Sequence, residues 1–268
     1  GAISNKIGAA MILFLIKKTF FDMWDNMFQI AIVNLGFILM LSLSVFGPAL
    51  FAETIPALSA VVFAASGILL YVYLGAASML TRDIADYRRA GFREFFTYLK
   101  ETWKTSAVFG VIAVLHILVL SIAIPVYGSM GNIFGLAALV FLLWGSLIWA
   151  VASQYYFPLR DRLDRKIRKI VKKCFILFFD NTFFSITLAI GSLAILVLSA
   201  FTAFLLPGIA TVLLWWNVAL KLRLYKYDYL EQNPGANRRR IPWDALLVDD
   251  RERVGKRTLK GMIFPWKE

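Results

Sequence analysis

One histidine, His116, is the residue best suited to proton transfer within an apolar run of this sequence. Side-chain amides also interrupt apolar runs, at Gln29, Asn34 and Asn217. An ionisable residue inside a membrane span is a functional hypothesis by default. If these four side chains converge, they form a candidate intramembrane polar cluster for a proton relay or a polar substrate path. The alternative is a neutral His116, with each side chain hydrogen-bonded to a neighbouring helix.

Metal-dependent and hydrolytic chemistry lack a recognisable signature in the sequence. One histidine and one cysteine, Cys174, do not supply a metal-ligand cluster. No Gly-rich phosphate loop, Gly-x-Ser-x-Gly elbow or His-Glu-x-x-His pattern occurs. We therefore predict no catalytic residue, no cofactor and no bound metal. An intramembrane enzyme is kept only as a third alternative.

The apolar runs around these side chains predict a membrane protein. Hydrophobic residues make up 60% of the chain and charged residues 17%, with a mean hydropathy of +0.70, whereas ordinary soluble domains are about 45–50% apolar. A helix of about 20 apolar residues crosses the hydrocarbon layer. The sequence predicts six membrane spans, and the alternative is five membrane segments of which the fifth is kinked or re-entrant. The six predicted spans are 27–47, 57–79, 107–127, 134–157, 184–206 and 208–224.

Lys and Arg occur in the two terminal segments and in every second connecting segment, so they all lie at one side of the predicted spans. Of the 29 Lys and Arg residues, three precede the first span, six follow the second, eight follow the fourth and twelve lie at or after the end of the sixth. This distribution follows the positive-inside rule and predicts that both termini are cytoplasmic. The cationic loops are expected to contact anionic headgroups, so the charge requires no nucleic acid. We predict no cleavable signal peptide, because the first apolar run, "AAMILFLI", is short.

An internal repeat is indicated by two offsets. "TRDIAD" (81–86) aligns with "LRDRLD" (159–164), and "KKTFFDMWDNMF" (17–28) aligns with "KKCFILFFDNTF" (172–183). The repeat predicts a membrane domain over 1–232 built from three units, each an interfacial amphipathic helix followed by a helical hairpin. All units cross twice and share one direction, which predicts a parallel pseudo-threefold bundle. The units cover about 8–86, 87–164 and 165–232.

Local patterns predict how each unit is built. In "WDN" (24–26) and "FDN" (179–181), the Asp and Asn are expected to cap backbone N–H groups where the chain turns into the bilayer. Small residues are expected where helices approach closely, at Gly67, Gly75, Gly145 and Gly191. Each interfacial helix has an apolar stripe at helical spacing, with Lys and Arg on its other faces. In the first unit the stripe is Leu13, Ile16, Phe20, Met23 and Trp24, and in the third it includes Ile170, Cys174 and Phe178.

The C-terminal tail, 233–268, differs in composition from the membrane domain. It contains turn-forming residues, an arginine cluster and a final "MIFPW". One interpretation is an arm adsorbed on the inner leaflet. The other is a docking segment that fills a groove on this chain or on a partner. The candidate contact residues are Arg238, Arg239, Arg240, Trp243, Phe264 and Trp266.

Two stretches carry a resemblance to a known family. "NLGFILMLSLSV" (34–45) before Pro48, and "YYFPLRDRLDRKIRKIVKKCFILFF" (155–179), are similar to patterns of the YesL-like family of bacterial polytopic membrane proteins. Gly36 and Phe37 stand where that family usually has a Trp. The resemblance implies a multi-pass protein of the bacterial inner (plasma) membrane. It also implies a context near carbohydrate-uptake systems.

The sequence as a whole favours a non-enzymatic accessory or scaffold subunit of a membrane assembly. Its expected partners are other membrane subunits, or a cytoplasmic protein that binds the tail. The alternative function is a small permease or lipid-handling protein with a pathway between the repeat units.

Overall fold

A computed structural model describes residues 2–89, 91–238 and 241–258, with side chains from residue 10 onward. Within these ranges the chain forms eleven helices and no strand, so the all-helical prediction is confirmed. The helices are α1 (Ala2–Asp25), α2 (Met27–Ala49), α3 (Pro56–Ala85), α4 (Phe92–Ser129), α5 (Ile133–Ser153), α6 (Tyr156–Arg162), α7 (Ile167–Asp180), α8 (Thr182–Ala200), α9 (Gly208–Gln232), α10 (Trp243–Leu246) and α11 (Val248–Val254).

Five helical segments are long and apolar enough to cross a membrane. They overlap five of the six predicted spans; the largest difference is at the third, which begins at Phe92 and not at residue 107. This pattern fits a multi-pass membrane protein. The five segments are Met27–Ala49, Pro56–Ala85, Phe92–Ser129, Ile133–Arg162 and Thr182–Ala200.

Helix α9, where the sixth span was predicted, is the packing centre of the molecule. It contacts α1, α2, α3, α6 and α8. Trp215, Asn217 and Leu220 are all buried on it. Because protein surrounds α9, the helix accommodates buried polar residues such as Thr211 and Asn217. These residues, together with Lys221 and Arg223, lower its hydropathy below that of a lipid-facing helix.

The α4–α5 hairpin carries large apolar side chains that the rest of the described chain does not cover. Phe134 is 80% exposed and Phe141 78% exposed, as expected of a surface that faces hydrocarbon. Nothing lies within 4 Å of the position that a Cβ on Gly145 would occupy, so the close approach predicted there is wrong. At Gly75 and Gly191 the prediction is confirmed, because a Cβ there would meet Ser106 and the Trp215 ring, respectively.

Helix α4 departs from the predicted sequence of interfacial helix and span. It is one continuous helix of 38 residues, about 57 Å long at 1.5 Å per residue. The hydrocarbon layer is only about 30 Å thick. A spanning α4 therefore extends well beyond the bilayer core at its charged N-terminal end, without a break between the predicted interfacial helix and the predicted span 107–127.

The Asp-Asn motifs terminate helices instead of capping the next ones, so that prediction is wrong. Neither Asn26 nor Asn181 makes a side-chain cap bond to the helix that follows it. Each Asn Nδ2 instead donates to a carbonyl four residues earlier, at 2.9 Å from Asp22 O and 3.4 Å from Leu177 O. Both amides thus bind carbonyls of the last turn of the preceding helix, and Leu177 O also accepts the backbone N–H of Asn181 at 3.0 Å.

The amphipathic stripes are correct for α7 and incomplete for α1. Ile170, Cys174 and Phe178 are buried as the spacing predicts. In α1, however, Lys18 is fully buried, so the expectation that its lysines occupy an outer face is wrong. The reason is tertiary: buried carboxylates surround Lys18.

Candidate functional site

A buried ion cluster joins the tail to the charged ends of the long helices. The Lys18 ammonium donates to Asp22 Oδ2 at 2.7 Å and lies 3.7 Å from Asp250 Oδ1. Lys221 Nζ donates to the same Asp250 oxygen at 2.9 Å, and the Tyr225 hydroxyl donates to Asp250 Oδ2 at 2.8 Å. We call Lys18, Asp22, Lys221, Tyr225 and Asp250 the tail latch, because Asp250 belongs to α11 and the others to α1 and α9.

The tail latch continues into the segments that follow α3 and α5. Lys221 Nζ also donates to Ala85 O at 3.1 Å and lies 3.8 Å from Asp86. Asp86 accepts two hydrogen bonds from Arg162, at 2.9 and 3.0 Å. Tyr87, whose φ is 57°, places its ring 3.7 Å from Lys18 Nζ. Segments that are distant in sequence thus share one ionic network at one end of the helices.

Burial and ion pairing oppose each other within the tail latch. Desolvation raises the pKa of Asp22 to about 6, although Lys18 partly offsets it. Desolvation also lowers the pKa of Lys18. Burial alone would raise the pKa of Asp250, but the charges of Lys221 and Lys18 more than compensate and hold its pKa below the usual value. Asp250 is therefore the stable anion of the cluster.

A second cluster joins the two aligned Arg-Asp motifs. Arg160 donates to Asp161, to Ser106 Oγ at 2.6 Å and to Gly75 O at 2.6 Å. Asp161 accepts from Ser78 Oγ at 2.5 Å. Arg82 donates to Asp161 O at 3.1 Å and pairs with its own neighbour, Asp83, at 2.6 Å.

This Arg-Asp cluster borders a cavity of about 70 Å³ between α3, α4 and α6. Of the three arginines that line the cavity, Arg82 and Arg160 are already bonded to protein acceptors, and Arg165 is the third. Arg82 and Arg160 both use terminal nitrogens for the contacts above. The cluster consequently holds α3, α4 and α6 together, because buried charges need hydrogen bonds and ion pairs to offset their desolvation.

The predicted intramembrane polar residues are directed at different neighbours. Asn34 Nδ2 donates to Leu205 O and Pro207 O at 2.9 and 2.8 Å, and its Oδ1 accepts from Ala210 N at 2.8 Å. Asn217 Nδ2 instead bonds the carbonyl and hydroxyl of Ser78, both at 3.1 Å. Asn34 thus ties α2 to the α8–α9 turn, whereas Asn217 ties α9 to α3.

The remaining two candidates also lie apart from that pair of contacts. His116 lines an open groove with Trp149 of α5 and Val171 of α7. Gln29 is partly buried in the first turn of α2. Asn34, Asn217 and His116 therefore lie at three separate places among the helices. The two amides each hydrogen-bond a neighbouring element, as one of the two interpretations of the sequence expected.

The tail candidates divide into three groups. Trp243 is 7% exposed and belongs to the main apolar core together with Leu247 and Val254. Arg238 is exposed and pairs with Asp180 at 3.3 Å. Arg239, Arg240, Phe264 and Trp266 lie outside the described residues. Residues 241–254 dock on their own chain, one of the options that the sequence left open.

Nucleophilic and metal chemistry receive no support from the described part of the chain. Burial raises the pKa of the Cys174 thiol to about 12, which keeps it protonated and unreactive. No group of three His, Cys, Asp or Glu residues within the described ranges is arranged to hold a metal ion.

Sequence reasoning missed Lys18, Asp22 and Asp250 as members of one site. The spacing of Lys18 and Asp22 allowed an ion pair within α1. Asp250, 228 residues beyond Asp22, stands in a charged stretch, "VDDRERV", in which no local signal separates it from Asp249. Only the fold shows that Asp250 is buried and Asp249 exposed.

The chain has no match among family models, curated proteins or solved structures. Its site must therefore be interpreted from its own geometry.

Proposed function

We propose that this chain is a non-enzymatic accessory or scaffold subunit of a membrane assembly. The observation that carries the proposal is that buried polar side chains of the helical body are hydrogen-bonded to neighbouring elements. Asn34, Asn217, Gln154 and Arg160 each hydrogen-bond a neighbouring element. Side chains bound in this way stabilise a rigid helical body, which suits a scaffold better than a carrier that must rearrange around a substrate.

The proposal includes a membrane topology. Helix α9 has 25 residues, or about 37 Å, and is long enough to be a sixth span. Both termini are cytoplasmic, in a bacterial inner membrane. The ion pairs that join Lys18, Asp86, Arg162, Lys221 and Asp250 support this placement, because they gather the cationic segments at one end.

The repeat also belongs to the proposal. Asn26 and Asn181, aligned in the sequence, both stand between two helices and both donate to the preceding carbonyls. Arg82–Asp83 and Arg160–Asp161, also aligned, both form ion pairs between adjacent residues. These parallels support a common ancestry of the units. The continuous α4 marks the second unit as the divergent one.

The proposed partners are another membrane subunit and a cytoplasmic protein, with anionic lipid around the helices. The resemblance to the YesL-like family supports a proposed role for the assembly near carbohydrate uptake. Since residues 241–254 dock on this chain, the aromatic residues Phe264 and Trp266 are the proposed tail contacts for the partner.

Co-purification tests the scaffold proposal. Full-length chain is crosslinked in native membranes, extracted in mild detergent and sized; we expect a complex that contains a second protein subunit. Phe264→Ala combined with Trp266→Ala is expected to release a cytoplasmic partner. Trp103→Ala, which removes an exposed aromatic ring of α4, is the matched control. Recovery of the chain alone after crosslinking would refute the proposal.

A lipid-handling function is the second candidate, and the His116 groove favours it. The groove encloses about 430 Å³ beside α4, with apolar walls from Ile112, Leu115, Val119 and Trp149. Lipid transfer between vesicles that contain the protein is the test. We expect His116→Leu to slow transfer and Ser121→Ala, on the exposed side of α4, to leave it unchanged. Transfer no faster than in protein-free vesicles would exclude this candidate.

A further inference from the structure

Arg223 is a partly buried cation of α9 that forms no ion pair with any residue the structure describes. Its guanidinium carbon lies 3.7 Å from the centre of the Phe184 ring and 5.9 Å from that of Trp243. Its Nε is buried and has no hydrogen-bond partner. Within the described residues its side chain makes ring contacts alone. A guanidinium has five N–H donors, and a buried donor without an acceptor is costly.

Two further cations stand at the same end of α9. Lys226 Nζ donates to Asn181 Oδ1 at 3.2 Å and lies 3.8 Å from Asp180 Oδ2. Burial and the positive charge of Arg223 lower the pKa of Lys226, so the two cations feel each other. Arg238 reaches Asp180 from the tail at 3.3 Å. Lys226 and Arg238 thus share one carboxylate, and Arg223 adds a third positive charge beside Lys226, so the cluster has an excess of two positive charges.

The carboxylate is itself already bonded. Asp180 Oδ2 accepts from the Tyr227 hydroxyl at 2.6 Å, and Asn181 Nδ2 donates to that hydroxyl at 2.6 Å. Asp180 is therefore engaged by Lys226, Arg238 and the Tyr227 hydroxyl, and its carboxylate forms no ion pair with Arg223 in the described part of the chain. An exogenous anion is the group that would balance the charge and accept the free guanidinium donors.

We propose that Arg223, Lys226 and Arg238 form a phosphate-binding site, with Phe184 and Trp243 as its apolar wall. Arginine suits phosphate because its planar fork donates two parallel hydrogen bonds. The site lies where α7 ends and the apolar α8 begins, the level of lipid headgroups if α8 spans the membrane. An anionic phospholipid supplies both the phosphate and acyl chains for the adjoining apolar surface, whereas a soluble phosphate supplies the anion alone.

The purified full chain in a neutral detergent is titrated with phosphatidylglycerol, with phosphatidylcholine and with inorganic phosphate, and binding is followed by native mass spectrometry and calorimetry. We expect Arg223→Gln to weaken phosphatidylglycerol binding about tenfold, as the loss of a charged hydrogen bond would. Arg168→Gln combined with Lys172→Gln, two exposed cations of α7, is the control and should change binding less than about twofold.

The three titrations distinguish a phospholipid from free phosphate as the bound group, and they include results that would refute the proposal. Selective binding of phosphatidylglycerol identifies a lipid site, and competition by inorganic phosphate identifies a site for the phosphate group itself. If Arg223→Gln fails to fold, Arg238→Gln is used, because Arg238 is 65% exposed. Equal losses in the site variants and the α7 control, or no loss in any variant, would overturn the proposal.

Discussion

Asp250 is the residue on which the tail latch depends. Its carboxylate touches two lysines from different helices, and its side chain is only 3% exposed. Removing one partner of a buried ion pair leaves the other charge uncompensated, which costs about 3–5 kcal/mol.

We therefore expect Asp250→Asn to release residues 241–254 from the helical body. Hydrogen exchange of that segment should become faster, and the free energy of unfolding should fall by about 3 kcal/mol. Asp249→Asn removes the same charge from an exposed neighbour and should change neither. Unchanged protection of the segment in Asp250→Asn would contradict the role assigned to the latch.

Asp22 gives the latch a pH dependence whose sign follows from its raised pKa. The folded protein holds the proton up to about pH 6, whereas the unfolded chain releases it near the ordinary value of 3.8. Stability is therefore greatest below the unfolded pKa and declines as the pH rises through about 6, by at most about 1.4 kcal/mol per pH unit.

We expect Asp22→Asn to remove this decline. The free energy of unfolding of both proteins is measured across the window between the two pKa values, and the difference between them reports Asp22 alone. Asp25→Asn, an exposed change at the end of the same helix, is the control. Parallel curves for wild type and Asp22→Asn would show that Asp22 is not a buried, protonated group.

At the scale of elements, the α8–α9 turn is held by one amide of α2. Asn34 binds three backbone groups of this turn and of the first turn of α9. Gly208 begins α9 with a φ of 66°, and a Cβ there would collide with the Asn34 amide. The turn thus requires glycine for two independent reasons.

Gly208→Ala is accordingly expected to destabilise the protein by about 2–4 kcal/mol, from left-handed strain and from displaced hydrogen bonds. Gly128→Ala is the matched control, because a Cβ there has nothing within 4 Å, and alanine in a helix should be neutral or stabilising by about 0.5–1 kcal/mol. Thermal unfolding in detergent measures both. Equal midpoints for the two variants would count against the packing described for the turn.

Helix boundaries show where sequence patterns were sufficient. The breaks after Asp25 and Asp180 coincide with the aligned Asp-Asn motifs. The predicted change from an interfacial helix to the span 107–127 produces no break in α4, which packs against α3 and has no Asn or Gly between Trp103 and Ser106. A local signal predicted a boundary correctly only where a side chain competed for backbone acceptors.

At the scale of the whole molecule, the membrane topology proposed from the basic segments and their ion pairs can be tested by labelling. Single cysteines are introduced in the short turns and in α7, and intact cells are treated with a membrane-impermeant maleimide. We expect Glu53→Cys and Met130→Cys to be labelled, and Arg168→Cys only after lysis. Native Cys174 stays in place, because it is buried and unreactive. Labelling of Arg168→Cys in intact cells would invert or break the proposed threading.

The sequence by itself determined the helical class and five apolar helices long enough to cross a membrane, but it left open whether the amides in those helices converge or bind neighbouring helices. The helical class and the apolar helices follow from local composition and from the 3.6-residue period, which need no knowledge of neighbours. Sequence patterns also correctly indicated the buried stripe of α7.

Tertiary structure alone decided which charges are buried. Lys18 and Asp250 resemble their neighbours in type and in local context, yet Lys17 is only partly buried and Asp249 is exposed, whereas the fold brings Lys18 and Asp250 together across more than two hundred residues. Likewise, only packing made α9 the centre of the bundle and left Arg223 between two aromatic rings. Burial of a charge depends on partners distant along the chain, and no local period encodes them.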